Sequence, residues 1–129
     1  MKRLIATLAL ATVALAAAAC SSTSATAGTA APAAPADPNA PAITANNLKF
    51  GESNVVVPAG KAFQLTFTNQ ESAPHNVAIY SDESAATNLF RGEIFSSGSK
   101  VQEVPALPAG SYFFRCDVHP DMQGTITAQ

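Results

Sequence analysis

Four side chains that bind soft metals stand out beyond the first forty residues of this 129-residue chain: His75, Cys116, His119 and Met122. Apart from Met1 and Cys20, they are every histidine, cysteine and methionine the chain has. Three of them sit within seven residues, Cys116-Asp117-Val118-His119-Pro120-Asp121-Met122. A thiolate, two imidazoles and a thioether make the donor set of a type 1 copper site, with Cys and both His in a trigonal arrangement and Met weak and axial. Such a site passes single electrons. Zinc accepts two His and one Cys as well, but its fourth ligand is ordinarily N, S or carboxylate, a place that Asp117 or Asp121 would have to take.

The elements that must position these residues read as strands. Asn54-Val55-Val56-Val57 runs into Pro58-Ala59-Gly60, a turn signal. In Lys61–Thr68, Phe63, Leu65 and Phe67 alternate with Gln64, Thr66 and Thr68, the period of two that gives a strand one apolar face. His75–Tyr80, Lys100–Val104, Ser111–Cys116 and Gln123–Ala128 are further β-prone runs. Tyr112, Phe114 and Cys116 share one face. The segment 81–92 is the least strand-like and suits either a helical turn around Glu83–Leu89 or a plain loop. Short strands without a 3.6-residue stripe predict an all-β sandwich or barrel, for which an immunoglobulin-like arrangement fits equally well. Cys116 ends one strand and Gln123 opens the next, so the donor-rich window is the loop between them.

Composition divides the chain. Of 27 alanines, 16 fall in residues 1–41, whereas all nine aromatic residues lie between Phe50 and Phe114. Met-Lys-Arg followed by the apolar run Leu4–Ala19 and Cys20 reads as an export signal over 1–19, too short and alanine-rich for a membrane span. Leu15-Ala16-Ala17-Ala18-Ala19-Cys20 resembles a bacterial lipobox, with Ala17 where Leu is usual, and marks Cys20 for lipidation. A Cys20–Cys116 disulfide is the competing use. Residues 20–41 offer no large side chain to bury and predict a disordered Ala/Pro/Ser/Thr linker, reaching ~65 Å if fully extended. That leaves 42–129, enough for one small core. Without Lys2 and Arg3 the balance is five basic against nine acidic residues, which argues against nucleic-acid binding.

Ala73-Pro74-His75-Asn76-Val77 and Tyr112–Gly124 resemble the two signature segments of cupredoxins, in particular the amicyanin branch of the plastocyanin/azurin family, which has the short C-x2-H-P-x-M loop. The resemblance implies a Greek-key β-sandwich over about 44–129. It also implies one copper ion held by His75, Cys116 and His119 with Met122 axial, and Asn76 tying the ligand loops together by hydrogen bonds. His119, on the loop, is the expected electron port, with Pro74, Val118 and Pro120 around it. The expected function is single-electron transfer, on the outer side of a bacterial membrane and anchored there through Cys20, with a cytochrome or oxidoreductase as partner. Copper storage or delivery is the alternative. Catalysis is not expected, because a Ser/His/Asp grouping or a second copper would need the same two histidines. Asp117 and Asp121, if near the metal, would favour Cu(II). Glu71, Asp82, Glu83 and Glu93 are candidates for an acidic docking patch, against the commoner role of solvated surface charge.

Overall fold

Strand β4 (Phe63–Asn69) organises the molecule, because its alternation buries Phe63, Leu65, Phe67 and Asn69 on one side. The computed structural model describes residues 39–129. In chain order the strands are β1 (Ala42–Asn46), β2 (Lys49–Phe50), β3 (Asn54–Val57), β4, β5 (Ala78–Tyr80), β6 (Asn88–Arg91), β7 (Gly98–Val104), β8 (Gly110–Arg115) and β9 (Gln123–Ala128). They form two sheets, β2-β1-β4-β7 and β3-β9-β8-β5-β6. The all-β sandwich predicted from the alternation is what forms.

Three strands depart from the sequence expectation. β1 and β2 precede the point where the strand pattern becomes readable, and β6 lies in the segment expected to be a loop or helical turn. β1 contains one large apolar residue, Ile43, and is held by parallel pairing of Ala42–Ala45 with Thr66–Asn69. β6 is recruited by antiparallel pairing with β5. In the β1–β2 hairpin, Asn47 (φ 52°) and Leu48 (φ 55°) both adopt left-handed backbone, the conformation of a tight two-residue turn.

The inner faces close over Ile43, Leu65, Phe67, Ile79, Phe114 and Ile126, all fully buried. Burial of each such side chain is worth about 1.5–3 kcal/mol. An aromatic chain crosses this core: Phe114 packs on Phe50 (centroids 5.2 Å apart), Phe50 on Phe67 (6.2 Å) and Phe67 on Phe95 (5.4 Å). Phe95 then pairs through its backbone with His75, so the core runs directly into the site.

Gly124 has no room for a side chain. A Cβ there would lie 2.5 Å from Phe114 Cζ and 2.7 Å from the Ser53 carbonyl oxygen. Gly124→Ala is therefore expected to destabilise the domain by about 1–3 kcal/mol, the usual cost of overpacking a core. Urea unfolding checks it; a midpoint equal to that of the parent would show that the Phe114 ring moves freely.

Connectivity defines two poles. β4 and β8 end, and β5 and β9 begin, at the pole that carries His75 and the 116–122 loop. The chain enters at the other, where Asn39, Ala40 and Pro41 lie with Pro58, Ala62, Phe63 and Gln64 around a shallow cleft.

Candidate metal centre

His75 comes from the β4–β5 connection. Its backbone exchanges two hydrogen bonds with Phe95, the His75 amide to the Phe95 carbonyl at 3.2 Å and the reverse at 3.1 Å. Its fully buried ring is fixed from the far side, where Nε2 meets Glu71 Oε1 at 2.7 Å. An ionised carboxylate accepts only, so Nε2 carries the proton and the Nδ1 lone pair is left facing the site. Glu71 is itself held. The Leu48 amide donates to the same Oε1 at 3.0 Å, and this bond, followed by that of His75, keeps the Glu71 carboxyl below its ordinary range. The Glu71 amide donates to Asn69 Oδ1 at 3.0 Å.

The 116–122 loop turns on two backbone bonds, the Cys116 amide to the Met122 carbonyl and the Met122 amide to the His119 carbonyl, both 2.9 Å. Cys116 is fully buried, Met122 almost so, and His119 partly exposed. The loop brings Cys116 Sγ within 3.7 Å of His75 Nδ1 and 3.9 Å of His119 Nδ1, and the two Nδ1 atoms lie 3.1 Å apart. Inside that triangle is a point about 2 Å from all three donors, the length of an ordinary metal–imidazole bond. Buried thiol sulfur, two imidazole nitrogens and a buried thioether beside them are soft donors that suit one type 1 copper ion.

Asn76 spans the two segments. Its Oδ1 accepts from the Asp117 amide at 2.8 Å, and its Nδ2 donates to Asp117 Oδ2 (3.1 Å) and the Gly92 carbonyl (3.2 Å). The two loop aspartates do not join the donors; the group that converges is His75, Cys116 and His119 among the described residues. Asp117 instead accepts from Tyr80 Oη and pairs with Arg91 Nε at 3.0 Å, with Arg115 Nε at 3.9 Å. Its charge is thereby matched, which removes the ground for expecting it to bias the metal strongly, and zinc loses this carboxylate as a fourth ligand. Asp121 is exposed.

The four acids of the expected docking patch are dispersed. Glu71 faces the site, Glu93 pairs with Lys100, and Asp82 bonds Ser81 and Ser84 in the β5–β6 connection, beside Glu83. Sequence reasoning missed Asn69 as a support. Its Nδ2 donates to the Ala73 and Phe95 carbonyls at 2.8 Å each, joining the two segments that flank His75. The signal was present, since continuing the Phe63, Leu65, Phe67 alternation places a polar residue at the next buried position. The expected export signal, the expected lipidation of Cys20 and the expected linker up to residue 38 lie outside the described residues.

Comparison with known proteins agrees with this geometry. A family model for a cupredoxin-like domain matches residues 8–128. Plastocyanin of Sambucus nigra is 30% identical over 89 residues, covering 63% of this chain and 88% of that protein. Plastocyanin A/B of Petroselinum crispum is 30% identical over 86 residues, covering 62% and 87%. Among solved structures, amicyanin from Paracoccus versutus superimposes with a TM-score of 0.57 at 27% identity, over 72% of this chain and 84% of that one. Reduced auracyanin from Roseiflexus castenholzii shares the fold at 20% identity, TM-score 0.60, over 68% and 94%. The match of the family model over nearly all of the sequence, with plastocyanins at 30% identity, places this chain in the cupredoxin-like domain family.

Proposed function

We propose that residues 42–129 form a type 1 copper domain that carries single electrons, with His75, Cys116 and His119 as strong ligands and Met122 as the weak axial one. The observation that carries this reading is the convergence of two Nδ1 atoms and one buried sulfur at one end of a rigid sandwich. Bound copper supplies the Cu(II)/Cu(I) couple. The chain supplies fixed positions: Glu71 orients His75, the paired backbone bonds of the loop hold Cys116, and Asn76 and Asn69 join the segments from behind. Donors that move little between the two oxidation states keep reorganisation small. The burial of His75 and Cys116 favours retention of the metal over its delivery.

His119 is the electron port in this reading. Its ring is partly exposed, and Pro74, Val118 and Pro120 around it are exposed as well. Ile94, next to the Phe95 bridge, and Leu48, whose amide reaches Glu71, add apolar surface at the same pole, each about half exposed. A small apolar pole of this kind suits brief contact with a redox partner.

Residues 1–41 act as export signal and leash, with Cys20 lipidated on the outer side of a bacterial membrane. Entry of the chain at the pole opposite the site supports this, because a tether there leaves the port clear. An intact mass for native protein without an added acyl group would remove the anchor.

Titration of the protein with Cu(II) tests the central reading. An intense absorption band in the red with narrow copper hyperfine splitting is expected; a colourless product with ordinary tetragonal copper would overturn it. For the port, His119→Gly should fold, lose much of the colour, and regain it when external imidazole is added. A variant that imidazole leaves unchanged would move the port elsewhere.

A further inference from the structure

The outer face of the second sheet carries a cationic row beside the thiol ligand. Ala78 of β5 is flanked in register by Arg91 of β6 on one side and Arg115 of β8 on the other. Like charges one strand removed from a common neighbour repel unless something lies between them. Here the methyl of Ala78 leaves space, and both guanidinium groups lean on the single carboxylate of Asp117. Arg115 also lies over the Tyr80 ring, 5.0 Å from its centroid, and Arg91 Nη2 reaches Tyr80 Oη at 3.4 Å.

One arginine would neutralise Asp117; the cluster has two. Its balance is two cations to one anion, in a domain that from residue 42 onward holds five basic and eight acidic residues. The surplus is available at the surface. Arg91 is 61% exposed and Arg115 30%, while the Nε of Arg115, 3.9 Å from Asp117, is buried without a hydrogen-bond partner. Among the described residues, the ion pairs on this face run to Asp117 alone, while Glu93 pairs with Lys100 of the other sheet and Glu71 lies in the site.

We propose that the Arg91–Arg115 face docks an acidic partner protein. The fit is one of charge: planar guanidinium groups on a fixed strand register favour carboxylates in paired geometry, and a second carboxylate completes the cluster. The face is distinct from the apolar pole around His119. Arg115 directly precedes Cys116, so a partner seated there lies against the thiol side of the centre, and donor and acceptor can be held at different surfaces. This use rests on the electron-carrier reading; the docking itself does not require copper.

The test follows the backbone amide resonances of the full chain, both as apoprotein and with Cu(I), at low salt. The probes are hexacyanochromate(III), a redox-inert paramagnetic anion, poly-L-glutamate and inorganic phosphate. Broadening by the first and shifts by the second are expected to centre on Ala78, Arg91, Arg115 and Gln123. The response should fade as the screening length contracts to about 8 Å near physiological salt. Arg91→Gln should weaken poly-L-glutamate binding about five-fold, the upper weight of one exposed charge pair, and Arg91→Lys, which keeps the charge but not the planar fork, should restore only part of it. Perturbation centred on Lys49, Lys61 or Lys100, an Arg91→Gln variant that binds like the parent, or saturation by phosphate alone would each overturn the proposal. Because the apoprotein answers the question by itself, failure to form a blue centre and failure of the docking face are read separately.

Discussion

Replacing Cys116 with Ser or Ala is expected to abolish the red absorption band entirely and to lower copper affinity by more than the ~100-fold that loss of an outer hydrogen-bond partner costs. The intense band of a type 1 site arises from its thiolate, and Cys116 is the cysteine of the donor group. Its sulfur forms one corner of the triangle, 3.7 and 3.9 Å from the two Nδ1 atoms. A hydroxyl at this corner is a hard, poorly ionised donor, and a methyl is none. The fold should survive, since Cys116 is one small member of a core that includes Phe67, Phe114 and Ile126. Two variants separate the effects. Ser adds the cost of a buried hydroxyl, about 1–3 kcal/mol, whereas Ala loses only the packing of one sulfur atom. Visible absorption with parallel thermal unfolding of the apoproteins checks both. A Cys116→Ala protein that stays blue would remove the thiolate from the centre and with it the type 1 assignment.

The side chains that converge here, His75, Cys116 and His119, were legible in the sequence because soft donors are scarce in it. Of the supports, Asn76 was expected from the family resemblance and the burial of Asn69 follows from the alternation, but the contacts that give Asn69 and Glu71 their roles are not written in the local sequence. Asn69 and Glu71 gain theirs from Phe95, Leu48 and His75. Nothing local marks Glu71 as different from Glu83 or Glu103. The same contrast governs the strands. β4 announces itself through Phe63, Leu65 and Phe67. β1 has only Ile43 to bury at large volume and becomes a strand by pairing with β4 more than twenty residues later. β6 follows a polar turn and is short. Its register with β5 shifts between Ile79 and Tyr80, so no simple alternation survives to be read. Asp117 shows the opposite hazard. Its position in the ligand loop invited an electrostatic role at the metal, yet its carboxylate turns outward to Tyr80 and Arg91.

Asn76→Ala is expected to cost about 2–4 kcal/mol, because it removes a buried side chain whose partners have no replacement. Asn76 is fully buried. Its loss leaves the Asp117 amide without the acceptor it now has at 2.8 Å and the Gly92 carbonyl without a donor at 3.2 Å. Water cannot readily enter, since Val77, Ala78 and Cys116 around the position are fully buried too. For a domain of this size each kcal/mol lowers Tm by about 4–8 °C, so a fall on the order of 15 °C follows. The site should feel the change separately. With its first hydrogen bond gone, Asp117 remains tied through its carboxylate to Tyr80 and Arg91 on the outer face, while the backbone beside Cys116 is freed from the segment that carries His75. Copper affinity should then drop about 10–100-fold, as for other outer partners of metal ligands, and the absorption band should broaden as the Cys116–His75 geometry spreads. Asn76→Asp discriminates between packing and bonding: it keeps the acceptor for the Asp117 amide but sets a second carboxylate against Asp117, 3.1 Å from where Nδ2 now donates. Calorimetry of the apoproteins with copper competition against a chelator of known affinity measures both quantities. An Asn76→Ala protein with parental Tm and parental affinity would mean that the two ligand segments are held together by the backbone alone.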